Sequence, residues 1–345
     1  MNRTFIFIAL ILQLATKQNA HSQTTTDRKQ QYAALGNFPL ENGQQIIDCK
    51  IGYRTFGKLN ATRSNAIVYP TAGGSTTSMM QLFFSMGMDV DTTQFYLILI
   101  DALGNGVSSS PSNSTSQPKT LFPQFSVKDM VNTQYKMLTE KLNIHHLTAA
   151  VGGSVGGLQA LQWAVSYPDF MDKVVAIEAT PKLSTYDLIW MQTYMEAVKS
   201  DAAYQGGNYT VNPATPLAVH LMQLLLTSPT TVNNTVPVDK VSTWLASLEK
   251  PNPFTVDCNN MLWQTKAVMT HDITKTAGSL ENTAKMIKAK MLIVTNKQDH
   301  VINQTLSIKF AKMIKAELVV MDNDMGHLIF NEKIPVEATK KFLSQ

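Results

Sequence analysis

Apolar and polar positions along the chain alternate in blocks that predict strands and helices in turn. Short apolar runs predict strands at 46–56, 66–69, 95–100, 146–151, 174–179, 290–295 and 318–321. Apolar residues at helical spacing predict helices at 125–142, 154–167, 306–314 and 336–343. The run at 95–100 contains no charged residue, which is typical of a strand buried on both faces. This alternation predicts an α/β fold with a mainly parallel sheet flanked by helices.

A long interruption separates the strand predicted at 174–179 from the one predicted at 290–295. Residues 181–285 are apolar but mostly helical in pattern, which predicts a helical cap inserted into one domain, residues 21–345. Methionines in this region are Met191, Met195, Met222, Met261 and Met269. Because methionine is flexible and polarisable, these side chains would suit an adaptable substrate pocket. Ordinary packing within the cap is the more common use of such residues and stays open.

The N-terminus has the order of a secretory signal peptide. Positive charge at Arg3 precedes an apolar run from Phe5 to Ala15, and a polar stretch then leads to Ala20 as the cleavage residue. The apolar run is too short to span a bilayer. We therefore predict that residues 1–20 are removed and that the mature protein is soluble and extracytoplasmic, either periplasmic or secreted. A buried N-terminal helix is the alternative.

Composition narrows the class of protein. Of 345 residues, 44% are hydrophobic and 16% are charged, which provides a sizeable core and excludes global disorder. The net charge of +4 is mild and evenly spread, so we expect neither a nucleic-acid partner nor a membrane partner after signal removal. The two cysteines, Cys49 and Cys258, are expected to be buried free thiols, with a disulfide as the alternative. No histidine and cysteine cluster has metal-ligand spacing, so no metal site is predicted.

The segment Gly152-Gly153-Ser154-Val155-Gly156 carries the strongest chemical signal. It follows a predicted strand and precedes a predicted helix, the setting in which G-x-S-x-G forms a tight turn that exposes a nucleophilic serine. The glycines leave room for neighbouring backbone, and the start of the helix directs N–H groups towards developing negative charge. We therefore predict Ser154 as the nucleophile. A glycine-rich turn with an incidental serine is the alternative.

A serine hydroxyl needs a base to take its proton, and after this type of turn the chain order is serine, acid, histidine. His327 follows the last predicted strand, at the sheet edge where sites of open α/β sheets form, and is the predicted base. A surface loop histidine is the alternative. Asp299 follows the strand at 290–295 and is the predicted acid that orients the imidazole. Asp322 and Asp324 are alternatives for the acid, although they are very close to His327 in sequence.

Acyl chemistry also needs backbone N–H groups that stabilise an oxyanion. The N–H of Val155, directly after the nucleophile, is the first predicted donor. The second donor should come from the loop after an earlier strand, and residues 70–75 (PTAGGS) form that loop. Ala72 is the predicted second donor. Glycines that serve only the turn are the alternative explanation of this loop.

Four segments match motifs of one known family: 53–60 (YRTFGKLN), 101–106 (DALGNG), 122–131 with Gln134, and 152–157 (GGSVGG). Through them the chain resembles the homoserine O-acetyltransferases, over nearly the whole mature chain and least in the cap. The resemblance implies the α/β-hydrolase fold. In that family the serine that matches Ser154 takes an acetyl group from acetyl-CoA and passes it to the homoserine hydroxyl, with matching acid and base at Asp299 and His327.

Two features separate this chain from the biosynthetic members of that family. Those enzymes carry an acidic residue directly after the catalytic histidine, where it helps to recognise the amino-acid acceptor. Here Leu328 takes that position, and an apolar side chain cannot pair with an ammonium group. The predicted signal peptide also places the protein where acetyl-CoA and homoserine should be scarce.

The sequence therefore predicts an enzyme that transfers acyl groups through an acyl-serine intermediate. Water as the acceptor makes it an ester hydrolase, which we favour; a hydroxyl acceptor makes it an O-acetyltransferase, with acetyl-CoA as a substrate. The expected partner is a small-molecule ester or acyl donor, without a bound cofactor, and a homodimer is possible. A catalytically inactive binding module of the same fold is the third alternative.

Overall fold

A single mixed sheet forms the centre of the protein in the computed structural model, which describes residues 28–84, 90–251 and 255–345. The predicted signal peptide, residues 1–20, lies outside these ranges. The strands are β1 (Gln31–Pro39), β2 (Gln45–Phe56), β3 (Ala66–Pro70), β4 (Tyr96–Ile100), β5 (Leu147–Gly153), β6 (Met171–Ile177), β7 (Lys290–Asn296) and β8 (Glu317–Met321).

The strand order of this sheet is β1-β2-β4-β3-β5-β6-β7-β8. β2 pairs antiparallel with both β1 and β4, and the pairs from β4 through β8 are all parallel. The prediction of a mainly parallel sheet is therefore confirmed. The carboxyl ends of β3 to β8 meet at one edge, which brings the loops after these strands together.

Helices cover the sheet and fill the interval between β6 and β7. Within the described residues they are α1 (Thr77–Phe84), α2 (Val127–Lys136), α3 (Val155–Ser166), α4 (Thr185–Ser200), α5 (Pro216–Leu226), α6 (Pro229–Thr235), α7 (Val241–Leu248), α8 (Cys258–Met269), α9 (Leu280–Met286), α10 (Thr305–Met313) and α11 (Lys333–Ser344). None of these helices is both long and apolar enough to cross a membrane.

Alternating side chains of the central strands enter two cores, one on each face of the sheet. On β4, Leu99 lies in the core that contains Phe342 of α11. The next residue towards the N-terminus, Ile98, lies in the other core with Trp163 of α3 and Phe310 of α10. All five side chains are at most 2% exposed, which explains why this strand is a continuous apolar run.

Two elements escaped the sequence analysis, and one predicted helix is shorter than expected. β1 was missed because it carries Gly36 and ends at Pro39, and α1 because its apolar residues follow a glycine-rich loop. The helix predicted at 125–142 is α-helical only over α2 and continues as a π-helix, Met137–Lys141. Ser126 and Asp129 cap the start of α2 reciprocally, in the S-x-x-D pattern of a capping box.

The predicted cap, residues 181–285, contains helices α4 to α9. Lys182 forms a β-bridge with Asp272, and the two side chains make a 3.0 Å ion pair. The N–H of Ile273 also donates to the carbonyl of Pro181. The two ends of residues 183–271 therefore meet at one point above the sheet. Cys49, which faces the core from β2, and Cys258, at the start of α8, are both buried free thiols.

We expect His271, at this junction, to make folding stability depend on pH. Its Nε2 lies 3.0 Å from the carbonyl of Thr180, and burial lowers its pKa to about 4. A lowered histidine pKa gives stability that is complete above the usual pKa of about 6.5 and is lost as the pH falls. The free energy of unfolding should therefore drop by about 2 kcal/mol between pH 7 and pH 5 through His271 alone.

Urea unfolding of His271→Gln across this pH range measures the effect. Glutamine keeps an N–H donor for Thr180 but does not titrate. Between pH 7 and pH 5 the free energy of unfolding of the variant should therefore fall by about 2 kcal/mol less than that of the wild type. His145→Gln, at an exposed position, is the control and should leave the pH dependence unchanged. An unchanged slope in His271→Gln would show that this histidine is not held neutral by burial.

Candidate active site

Ser154 lies in the turn between β5 and α3 with φ 53° and ψ −125°, a strained conformation for a residue with a side chain. Gly152 and Gly156 make this turn possible. A Cβ on Gly152 would lie 2.2 Å from the carbonyl oxygen of Gly156, and one on Gly156 would lie 2.5 Å from that of Pro70. Two glycines of the predicted motif are therefore required by close backbone approach, and the turn projects the Ser154 hydroxyl at the sheet edge.

A chain of hydrogen bonds joins the three residues that the sequence singled out. Ser154 Oγ is 2.8 Å from His327 Nε2, and His327 Nδ1 is 2.8 Å from Asp299 Oδ2. Because an ionised carboxylate only accepts, Nδ1 carries the proton and Nε2 accepts from the serine hydroxyl. His327 and Asp299 are buried, whereas Ser154 is partly accessible. The structure thus brings the predicted nucleophile, base and acid into hydrogen-bond contact.

Asp299 is held as an ionised acceptor despite its burial. Its Oδ1 accepts the N–H groups of Val301, at 2.7 Å, and Ile302, at 3.0 Å. Burial acts to raise its pKa, but the positive charge and hydrogen bond of His327, with the other donors, outweigh burial and lower the pKa below the usual value. The acid is therefore charged when His327 takes a proton.

The alternative acids lie elsewhere. Asp322 is exposed and accepts hydrogen bonds from Lys297, at 3.2 Å, and Gln298, at 3.0 Å. Asp324 receives the backbone N–H of Ser228 from the start of α6 on its carbonyl oxygen. Neither makes a hydrogen bond to His327 in the part of the chain that the structure describes.

The loop 71–76 lies against the start of α3, where the second oxyanion donor was predicted. A Cβ on Gly73 would approach Val155 Cγ2 to 3.0 Å. Among the described residues, no protein acceptor receives the backbone N–H of Ala72 or that of Val155. Within the described residues, both predicted donors are therefore free of a protein acceptor.

Glu178, which sequence reasoning missed, is a second carboxyl beside the acid. It directly follows β6, is fully buried and has a positive φ of 46°. Gln304 Nε2 lies between the two carboxyls, 2.6 Å from Glu178 Oε2 and 3.0 Å from Asp299 Oδ2. Burial, followed by repulsion from Asp299, raises the pKa of Glu178 well above its usual value, which favours the neutral carboxyl. The available signal was an ionisable residue inside the apolar run at 174–179 that was predicted as a strand.

Glu178, Asp299 and His327 each offer one potential metal-ligand atom, all within 4.8 Å of one another. Both ring nitrogens of His327 already have partners, and Gln304 donates to both carboxyls. A cation at this point would have to break the bond between His327 and Asp299. The donor set therefore fits a hydrogen-bonded triad with an added neutral acid better than a metal site.

The cap contacts both halves of this site. The backbone N–H of His327 donates to the carbonyl of Leu226, the last residue of α5. Gln264 of α8 accepts the N–H of Gly74 at 2.9 Å and donates to the carbonyl of Leu103 at 2.9 Å. Met261, one turn earlier on α8, lies beside Gly74. Of the cap methionines, this one borders the oxyanion loop, whereas Met191 and Met195 are packed in the core.

The alpha/beta hydrolase fold family matches residues 66–334, the range that contains the triad and both donors. The chain belongs to this family. An ethyl acetate hydrolase from Pseudomonas veronii is 31% identical over 280 residues, which cover 77% of this chain and 79% of that protein. The α/β-hydrolase fold predicted from sequence is thereby confirmed.

Two further relatives represent the two activities that the sequence analysis weighed. A homoserine O-acetyltransferase from Methanosalsum zhilinae is 31% identical over 297 residues, covering 75% of this chain and 60% of that protein. The structure of an acetylester hydrolase from Corynebacterium glutamicum matches with a TM-score of 0.83 and 26% identity, covering 92% of this chain and 96% of that chain. The resemblance to homoserine O-acetyltransferases is confirmed, and this α/β hydrolase is an enzyme of the acyl-transfer type.

We expect the contribution of Glu178 to the free energy of unfolding to decrease as the pH rises. A carboxyl whose pKa is raised by folding contributes stability that is complete below the usual carboxyl pKa of about 4.3 and is lost as the pH rises towards the folded value. Glu178→Gln keeps the shape without the proton equilibrium. Its free energy of unfolding should therefore rise relative to wild type between pH 5 and pH 9, as measured by urea unfolding.

Glu317→Gln, at the exposed start of β8, is the matched control and should shift stability equally at all pH values in this range. A difference between Glu178→Gln and wild type that stays constant with pH would contradict a protonated Glu178.

Proposed function

We propose that this enzyme hydrolyses esters of small carboxylic acids through an acyl-serine intermediate, with Ser154 as nucleophile, His327 as base and Asp299 as orienting acid. The observation that carries the proposal is the hydrogen-bonded chain from Ser154 to Asp299. In the part of the chain that the structure describes, the N–H groups of Val155 and Ala72 have no protein acceptor, which supports their predicted role. Similarity to an ethyl acetate hydrolase and to an acetylester hydrolase supports short acyl groups.

Each residue has a defined role in the proposed reaction. Ser154 Oγ attacks the ester carbonyl carbon as His327 Nε2 takes its proton, and the N–H groups of Val155 and Ala72 stabilise the oxyanion. His327 then gives this proton to the departing alcohol, which leaves an acyl group on Ser154. Water attacks the acyl carbon while His327 takes one of its protons. The carboxylic acid departs as the proton returns to Ser154 Oγ.

The acceptor distinguishes hydrolysis from acyl transfer, and Leu328 favours water. Leu328 directly follows the base and is 39% exposed, so it offers an apolar surface where an ammonium group would need a carboxylate. The alternative, O-acetyl transfer from acetyl-CoA to homoserine or a similar hydroxyl, is supported by the similarity to a homoserine O-acetyltransferase.

Ser154→Ala should abolish the release of p-nitrophenol from p-nitrophenyl acetate, with a loss of kcat of at least about 10⁴-fold. It should also abolish labelling by a fluorophosphonate probe. Ser166→Ala, at the far end of α3, should keep both activities within about twofold and serves as the control. Folded wild-type protein that neither labels nor hydrolyses short esters would favour the inactive binding module.

Leu328→Asp should introduce some recognition of an amino-acid acceptor. In the wild type, added homoserine should not change the rate of ester cleavage, and acetyl-CoA with homoserine should release no CoA. In Leu328→Asp, O-acetylhomoserine should form from the acyl-enzyme, because a carboxylate beside the site can pair with the ammonium group. Leu328→Asn is the uncharged control. Homoserine-dependent CoA release by the wild type would instead establish the acetyltransferase.

We propose further that the enzyme acts outside the cytoplasm after cleavage next to Ala20. The charge at Arg3 and the apolar run from Phe5 to Ala15 support this location. Expression of the full chain in a bacterial host with cell fractionation tests it. Mature protein in the periplasm or medium, with a new N-terminus at about residue 21, is expected. Full-length protein confined to the cytoplasm would contradict the proposal.

A further inference from the structure

Three buried side chains form a hydrogen-bonded relay behind the candidate oxyanion hole. Trp163 Nε1 donates to Gln134 Oε1 at 2.8 Å, and Gln134 Nε2 donates to Gln159 Oε1 at 2.6 Å. Gln159 Nε2 then donates to the carbonyl of Thr71 at 3.2 Å and to that of Val155 at 3.1 Å. All three side chains are at most 1% exposed, so water cannot replace these bonds.

The first member of the relay fixes the direction of every bond. An indole N–H can only donate, so the Gln134 oxygen must accept and its amide nitrogen must donate. The Gln159 oxygen therefore accepts, and its amide nitrogen points to backbone carbonyls. Reversal of either amide would place two donors or two acceptors face to face in a buried site. The orientation of the Gln159 amide therefore follows from the indole N–H of Trp163.

The relay acts on one of the two oxyanion donors through a single peptide plane. The carbonyl of Thr71 and the N–H of Ala72 belong to the same trans peptide and point in opposite directions. When the Gln159 amide holds the Thr71 carbonyl, the Ala72 N–H must point away from that amide. The N–H and hydroxyl of Thr71 are also bound, to the carbonyl of Ile100 and the N–H of Ala102, so Gln159 completes the restraint of this residue.

The other donor is restrained in the same manner. The carbonyl of Ser154 accepts the N–H of Leu158 in the first turn of α3, which directs the Val155 N–H out of the helix start. Gln159 also binds the carbonyl of Val155, in that first turn. One side chain therefore contacts both the loop and the helix that carry the two N–H groups.

We propose that Gln159 is a positioning residue that aims the Ala72 N–H at the developing oxyanion, supported by Gln134 and Trp163. The inference rests on the proposed function. It adds Gln159, a residue outside the triad, to the groups that determine how well the transition state of ester hydrolysis is stabilised. Loss of one oxyanion donor costs about 10²- to 10³-fold in kcat. Among the described residues, Gln159 makes no side-chain hydrogen bond to the triad and acts through a peptide, so its loss should cost less, about 10- to 100-fold.

Gln159→Met tests the proposal, because methionine fills similar space without a donor. Gln162→Met is the matched control: Gln162 is also buried on α3, but its amide donates to Ser166 of the same helix. In Gln159→Met, kcat for p-nitrophenyl acetate should fall with KM within about threefold of wild type. The Ki of a trifluoromethyl ketone, whose Ser154 adduct carries an oxyanion, should rise by the same factor as kcat/KM falls.

Equal kcat/KM in the Gln159→Met and Gln162→Met variants, or a lower kcat/KM without a change in Ki, would overturn the proposal. If Gln159→Met does not fold, Trp163→Phe takes its place, because it removes the N–H that sets the direction of the relay. Trp163→Phe should lower kcat/KM and weaken the ketone in equal proportion, and unchanged values of both would overturn the proposal.

Crystal structures separate this inference from the proposed function. Absence of Ser154-dependent hydrolysis in the wild type would refute the function alone. In that case the orientation of the Thr71–Ala72 peptide, compared between crystal structures of the wild type and Gln159→Met, still tests the positioning role. A reoriented or disordered peptide in the variant supports the relay, and a peptide that keeps its orientation without Gln159 overturns it.

Discussion

At the end of β5 the chain turns into a helix at Ser154, and this residue adopts a strained backbone, with φ 53° and ψ −125°. Backbone hydrogen bonds on both sides of Ser154 hold this turn. The Ser154 N–H donates to the carbonyl of Ile177 on β6, and its carbonyl accepts the N–H of Leu158. A hydroxyl presented in this manner needs only a base at hydrogen-bond distance, and the adjacent strands β7 and β8 deliver Asp299 and His327 to the same edge. The strained backbone of Ser154 is thus held by its hydrogen bonds to β6 and to the first turn of α3.

The surroundings of the two buried carboxyls also influence which of them is charged. Two buried carboxyls, Asp299 and Glu178, share the donor Gln304, and two negative charges so close together would repel each other strongly. Burial and this repulsion raise the pKa of Glu178 and favour its neutral form, while His327 and the N–H donors lower the pKa of Asp299 and favour its ionised form. A single negative charge beside the imidazole is enough to stabilise an imidazolium. The neutral acid and Gln304 fix the carboxylate that His327 uses.

The sequence predicted the sheet, the triad residues and the oxyanion loop, because each depends on a local pattern: an apolar run, G-x-S-x-G, or a polar residue directly after a strand. It did not reveal Glu178, Gln159 or Gln264, since their roles depend on partners in distant segments, such as Gln304, Thr71 and Gly74. A buried glutamine on a largely buried helix has no signal of its own in a single sequence. Long-range hydrogen bonds are therefore the part of the site that required the structure.

The same long-range bonds make the cap part of the catalytic geometry. The carbonyl of Leu226 receives the N–H of His327, and Gln264 receives the N–H of Gly74, so α5 and α8 each bind one loop of the site through its backbone. A displacement of either helix would move the base or the oxyanion loop by way of these bonds. The cap also carries Met261 beside Gly74, in the loop that holds the predicted second oxyanion donor. Two helices of the cap thus help to set the positions of the predicted base and of the predicted oxyanion loop.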